Sequence, residues 1–171
     1  MAFFAVFDRV SPNLNKYMAT LFNTSATRKV VVNRIYRFDW QVQAATGVQL
    51  EQELRGITAR SGGNAVTIVS EDPNDSLSAG ITAEHGSTGV TEGGHGLVRR
   101  LFATSEEVAL AASITPSFVL GHDSDAQLVY QRGPNSSGLV LRENDGLTIK
   151  NLTNSNVGTV SYVFEFEDQP A

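Results

Sequence analysis

The chain has no cysteine, only three histidines and a single tryptophan in 171 residues. Without a thiol it can build neither a disulfide framework nor a thiolate zinc site, and cysteine nucleophilic catalysis is excluded. Positive charge is scarce too: 13 Lys and Arg stand against 18 Asp and Glu, a net charge of −5. That balance sets up no field that draws phosphate backbones, so nucleic acid is not an expected partner. The light basic groups at Arg28-Lys29, Arg34, Arg37 and Arg99-Arg100 do not reverse it. Nothing approaches the ~20 apolar residues of a spanning helix, so no membrane partner is expected. The opening MAFFAVFDRV is too short, and lacks the basic leader, for a secretory signal. The expectation is a chain made in the cytoplasm with no export address. At this length one domain over 1–171 is expected, burying roughly 70% of its unfolded surface without needing a metal or staple.

What is abundant is alternation. In SYVFEFED, Ser161 to Asp168, the residues Tyr162, Phe164 and Phe166 fall on one face of an extended segment, with Glu165 and Glu167 on the other. KYMATLF (16–22) reads as a strand. RKVVVNRIYRFDWQV then places Val30, Val32, Tyr36, Phe38, Trp40 and Val42 on one parity, interrupted by Arg34. So long an alternation exceeds the usual ~5–6 residues, and a bend or bulge is expected within it. Further strands are expected near 50–58, 65–69, 96–102, 117–120 and 126–131. GLVLREN and LTIKNLT, joined at Asp145-Gly146, read as a hairpin, and with VGTVSYVFEFE as a three-stranded meander over 138–167.

Thr104-Ser-Glu-Glu107 has capping-box spacing, so one short helix is expected from Thr104 to Ser113, stopped at Thr115-Pro116. The stretch 80–96, GITAEHGSTGVTEGGHG, reads as a long Gly-rich loop. Together these predict an all-β, jelly-roll-like antiparallel β-sandwich with that helix and loop.

Chemistry is harder to find. His85, His95, His122, Asp123 and Asp125 could be imagined around a metal, but no short spacing holds two of these histidines rigidly. Asp123-x-Asp125 begins like a calcium loop, yet Leu128 and Pro134 stand where the glycine and glutamate of an EF-hand belong. No Gly-x-Ser-x-Gly, Walker loop or dinucleotide fingerprint is present. Glu165 and Glu167 share a strand face, which suits a solvated carboxylate surface better than a glycosidase pair. Asn23-Thr-Ser, Asn135-Ser-Ser and Asn151-Leu-Thr match the glycosylation pattern by coincidence. No catalytic residue, metal ligand or cofactor-binding residue is therefore assigned.

The N-terminal run Ala2-Phe-Phe-Ala-Val-Phe7 is the most partner-like feature. It is either an outer strand of its own sandwich or an apolar arm over 1–10 that joins a neighbouring subunit. Phe3, Phe4 and Phe7 are the expected interface residues.

Two stretches carry a family resemblance. Leu21 and Asn23 of LFNTSATRKVVVNRI fit the turn before a valine-rich strand, although Thr24, Ala26 and Thr27 replace the usual proline and glycines. Val140, Leu141, Arg142, Asp145 and Gly146 fit a "VLR-x-x-(E/D)-G" motif before a closing strand. The chain thereby resembles tailed-bacteriophage virion structural proteins of the capsid-decoration or minor capsid kind, over about a third of its length. The resemblance implies a jelly-roll-like virion component that binds between subunits of the major capsid protein, as a homo-oligomer with a trimer favoured. Its alternative is a fibre or tail protein whose exposed loops bind a host glycan, or another carbohydrate-binding β-sandwich. An enzyme ranks last.

Overall fold

The computed structural model describes residues 2–11, 16–40, 46–106, 127–153 and 159–171. Among them are twelve strands and no helix. They are β1 (Ala2–Val10), β2 (Tyr17–Asn23), β3 (Arg28–Trp40), β4 (Thr46–Ala59), β5 (Asn64–Val66) and β6 (Ile68–Ser70), followed by β7 (Ile81–His85), β8 (Thr91–Glu106), β9 (Gln127–Gln131), β10 (Leu139–Leu141), β11 (Asp145–Asn151) and β12 (Thr159–Pro170). Sheet A runs β10-β3-β12-β1-β6, with β9 also on β3; sheet B runs β5-β7-β2-β11-β4-β8. Every pairing is antiparallel.

The pairings are nested. β1 pairs β12, β2 pairs β11, β3 pairs β10 and β4 pairs β8. A long hairpin folded in this way and rolled over itself yields two four-stranded sheets, the jelly-roll arrangement. The short strands β5, β6 and β7, inserted between β4 and β8, widen both sheets on the side of β1 and β2.

The alternation in SYVFEFED does what its pattern dictates. Tyr162, Phe164 and Phe166 are fully buried. Phe164 meets Phe7 edge-on at 5.2 Å, and Phe166 stacks on Phe3 at 5.9 Å. Met18, Leu21, Leu54, Leu147 and Ile149 of sheet B close the same core. Each such side chain contributes about 1.5–3 kcal/mol by leaving water. A terminal strand is ordered here because it sits between β1 and β3 rather than at an edge.

Several expectations change. The bulge expected in the long third strand is present: Glu165 pairs Arg34 but Phe166 pairs Val32, leaving Asn33 as the extra residue. One inserted residue reverses every later side chain. Ile35 and Arg37 therefore point inward with Val30 and Val32, while Tyr36 and Phe38 take the outer face with Arg34. The side chain of Trp40 lies outside what is described, as does Val42.

The meander over 138–167 is not formed, because β10 belongs to sheet A and β11 to sheet B. The Arg142–Asp145 turn, with Asn144 at a φ of 57°, carries the chain from one sheet to the other. Gly146 is needed there for room: a Cβ would lie 2.7 Å from the Leu21 carbonyl oxygen and 2.5 Å from the Phe22 ring.

The 80–96 stretch is mostly strand. β7 and the start of β8 occupy it, and Gly94 and Gly96 supply the positive φ at which β8 bulges against β4. Thr104 to Glu106, the expected helix start, continue β8; the rest of that helix lies outside the described residues, as do the expected 117–120 strand and the Asp123-x-Asp125 turn. The expected 65–69 strand is split at Thr67, with β5 in sheet B and β6 in sheet A.

Candidate functional site

The outer face of sheet B is dominated by charges that satisfy one another, with Leu97 and Phe102 exposed along its edge strand β8. Register places Tyr17, Lys150, Glu53 and Arg100 side by side across β2, β11, β4 and β8. Arg55 Nε donates to Glu53 Oε2 at 2.5 Å, and Arg100 Nε lies 3.2 Å from Glu53 Oε1. Arg55 also pairs with Glu92, which accepts from Lys150 at 2.8 Å and from the Tyr17 hydroxyl at 3.2 Å. The Lys150 hydrogen bond, aided by Arg55 and Tyr17, outweighs desolvation and holds the Glu92 carboxyl below its ordinary range. Burial, with Glu92 beside it, pushes the Tyr17 phenol up.

Towards β7, Arg60 pairs with buried Glu84 and lies over the Phe22 ring. Ser87 donates to Glu84 at 2.6 Å, and the Thr20 and Thr148 hydroxyls share a hydrogen bond of 2.8 Å. Ser87 thus adjoins a carboxylate and not an imidazole, an arrangement that holds a turn and activates no nucleophile.

The sequence's other candidates do not converge. His85 is on β7 and His95 on β8, with three strands of sheet B between them, a separation of roughly 19 Å at ~4.8 Å per strand. His122 lies outside the described residues. Among the described residues, no group of three His, Asp or Glu is placed to hold a metal. His95 instead bridges the sheets: its Nε2 lies 3.0 Å from the Val140 carbonyl on β10 and 3.3 Å from Asp145. Arg99 donates to the Val129 carbonyl on β9 at 2.7 Å. These two side chains tie the β8 margin of sheet B to the β9/β10 margin of sheet A.

Asn23 is buried and donates to the carbonyls of Arg28 and Leu141, and Asn151 is buried too, so neither offers a side chain for a glycan in the folded state. Glu165 and Glu167 do share the outer face of sheet A. Hydrogen bonds from Asn33 and Gln169 hold Glu167 below its ordinary range.

The outer face of sheet A is built differently. Phe3 and Phe7 are buried in the protein's own core, so they are not available as interface residues; alternation along β1 turns them inward and Phe4 outward. Phe4 belongs to a row running Val69, Phe4, Glu165, Arg34, Gln131 across five strands. The next row is Val6, Val163, Tyr36, Leu128, with no charge in it. Val6 is 45% exposed, Val69 48% and Leu128 43%. Phe4, Val163, Tyr36 and Phe38 are half-buried beside them. Val6 shares the parity of Phe4 and was legible; Val163, Tyr36 and Leu128 join it only through the register of strands far apart in sequence.

Comparison with protein-family profiles, with characterised proteins and with solved structures finds no match.

Proposed function

We propose that the protein is a structural component of a tailed-phage virion that decorates or cements the capsid by binding between capsid subunits. The observation that carries the reading is the uncharged row Val6–Val163–Tyr36–Leu128, with Phe4 and Val69 beside it, on the outer face of sheet A. Exposed apolar rows of this kind mark contact surfaces, because isolated proteins gain nothing from leaving them wet. Two further points support it. Jelly rolls recur in viral capsid domains, and the motifs around Asn23 and Asp145-Gly146 resemble those of capsid-decoration proteins.

In this reading the protein acts by adding buried area at junctions of the shell, as a homo-oligomer with a trimer favoured, and turns over no substrate. Purified protein mixed with undecorated phage shells should bind saturably and raise the temperature at which the shells come apart. Shells that neither bind it nor gain heat resistance would overturn the proposal.

A further inference from the structure

Beside the apolar row, the outer face of sheet A changes character. Asn33, Arg34, Gln131, Arg132, Glu165 and Glu167 line a shallow depression of about 310 Å³. That volume is at the small end of the ~300–1,000 Å³ range of small-molecule sites, enough for a single ring.

Its chemistry narrows the ligand. Two guanidiniums face two carboxylates, so neither an anion nor a cation is favoured by net charge. Almost every lining group is polar, which disfavours an apolar ligand. Part of the wall is fixed in advance: Asn33 donates to Glu167 at 3.0 Å, Gln169 to Glu167 at 2.6 Å, and Arg132 to the Ser136 carbonyl at 2.8 Å. The rest keeps unused hydrogen-bonding capacity. Arg34 and Glu165 are 3.6 Å apart, an ion pair without a formed hydrogen bond, and the Arg34 side chain is 47% exposed. The Gln131 amide makes no hydrogen bond among the described residues.

A ligand suited to these groups is neutral and carries adjacent hydroxyls. A carboxylate accepts from two of them, while a guanidinium and an amide donate to their lone pairs. Such a ligand also has a C–H face. Of the lining residues, Pro134 carries the apolar ring that can meet it. We propose that this depression binds a monosaccharide unit of a glycan, with Arg34, Glu165 and Gln131 making the polar contacts. The proposal is independent of the virion reading and would hold equally for a protein that never meets a capsid.

The open site sets an expected dissociation constant on the order of 1 mM for a free sugar. The test titrates ¹⁵N-labelled protein with glucose, galactose, mannose and N-acetylglucosamine, each up to tens of millimolar. At least one sugar should give saturable shifts of the Asn33 and Gln131 side-chain amides and of the backbone at 131–134. Arg34→Ala and Gln131→Ala should each weaken binding about tenfold or more, while Lys150→Ala on sheet B should not; melting curves check that all three fold. No saturable shift with any of these sugars would overturn the proposal. So would shifts that survive both sheet A substitutions, or saturation by phosphate or free glycine where the sugars give none.

Discussion

The two sheets present opposite outer faces. On sheet B, Glu53, Arg55, Glu92, Arg100 and Lys150 form a connected set of ion pairs, and the Tyr17 hydroxyl donates to Glu92. On sheet A, an uncharged row lies next to a polar depression whose side chains are only partly engaged. Both faces belong to the same rolled hairpin, so the fold does not impose the difference. A face whose charges neutralise one another resists new contacts, because breaking them exposes unpaired charge. A face with wet apolar groups gains by being covered. Sheet B leaves Leu97 and Phe102 exposed as well, but only on its edge strand β8, so the difference separates the charged strands β2, β11 and β4 from the apolar row that crosses sheet A.

The comparison can be broken most directly on sheet A. Val6→Asp with Leu128→Asp should weaken binding to shells roughly 100–1,000-fold, the effect of losing central contacts worth about 3–4 kcal/mol. The melting temperature should change little, since both side chains already face water; retained binding in a titration would remove the distinction between the faces. Glu53→Ala, on sheet B, strips Arg55 and Arg100 of a buried carboxylate. It should lower stability by roughly 2–3 kcal/mol in urea titrations and leave shell binding intact.

Acid should act on both faces. Glu92, Glu167 and Asp168 are held below their ordinary values; for Asp168, burial pushes upward but the bonds from Arg28 and Ser78 prevail. A depressed carboxyl stabilises the fold above its unfolded pKa and loses that contribution as pH falls through the folded value. The melting temperature should thus fall as pH drops below about 4, and less steeply in Glu92→Gln. A pH-independent melt would show that the ion pairs add nothing. The smallest effect is expected from Arg34→Ala, whose exposed pair is worth under about 1 kcal/mol of stability, measurable by the same urea titration.

What the sequence reveals depends on how local the cause is. The inward aromatics of β12 were legible because alternation alone decides them. A bulge in β3 was foreseeable from its length, but its position at Asn33 was not, and that position decides whether Tyr36 or Arg37 faces the core. Asp145-Gly146 carries turn chemistry that serves a hairpin and a sheet-to-sheet crossing alike, so the meander reading failed on pairing and not on the turn. Gly94 and Gly96 read as loop residues, whereas in β8 they are bulges. Close packing adds a constraint there: a Cβ on Gly56 would collide with the Gly93 carbonyl and the His95 amide. Of the candidate surface, Phe4 and Val6 are legible from alternation along β1, whereas Val69, Tyr36, Leu128 and Val163 join them only through the pairing of β6, β3, β9 and β12, strands far apart in sequence.

The most direct measurement is hydroxyl-radical footprinting of the protein, free and bound to undecorated shells, read residue by residue. Binding through sheet A should strongly reduce oxidation of Phe4, Tyr36 and Leu128 and leave Tyr17, Leu97 and Phe102 unchanged. Protection of Tyr17, Leu97 and Phe102 with Phe4, Tyr36 and Leu128 still oxidised would contradict it.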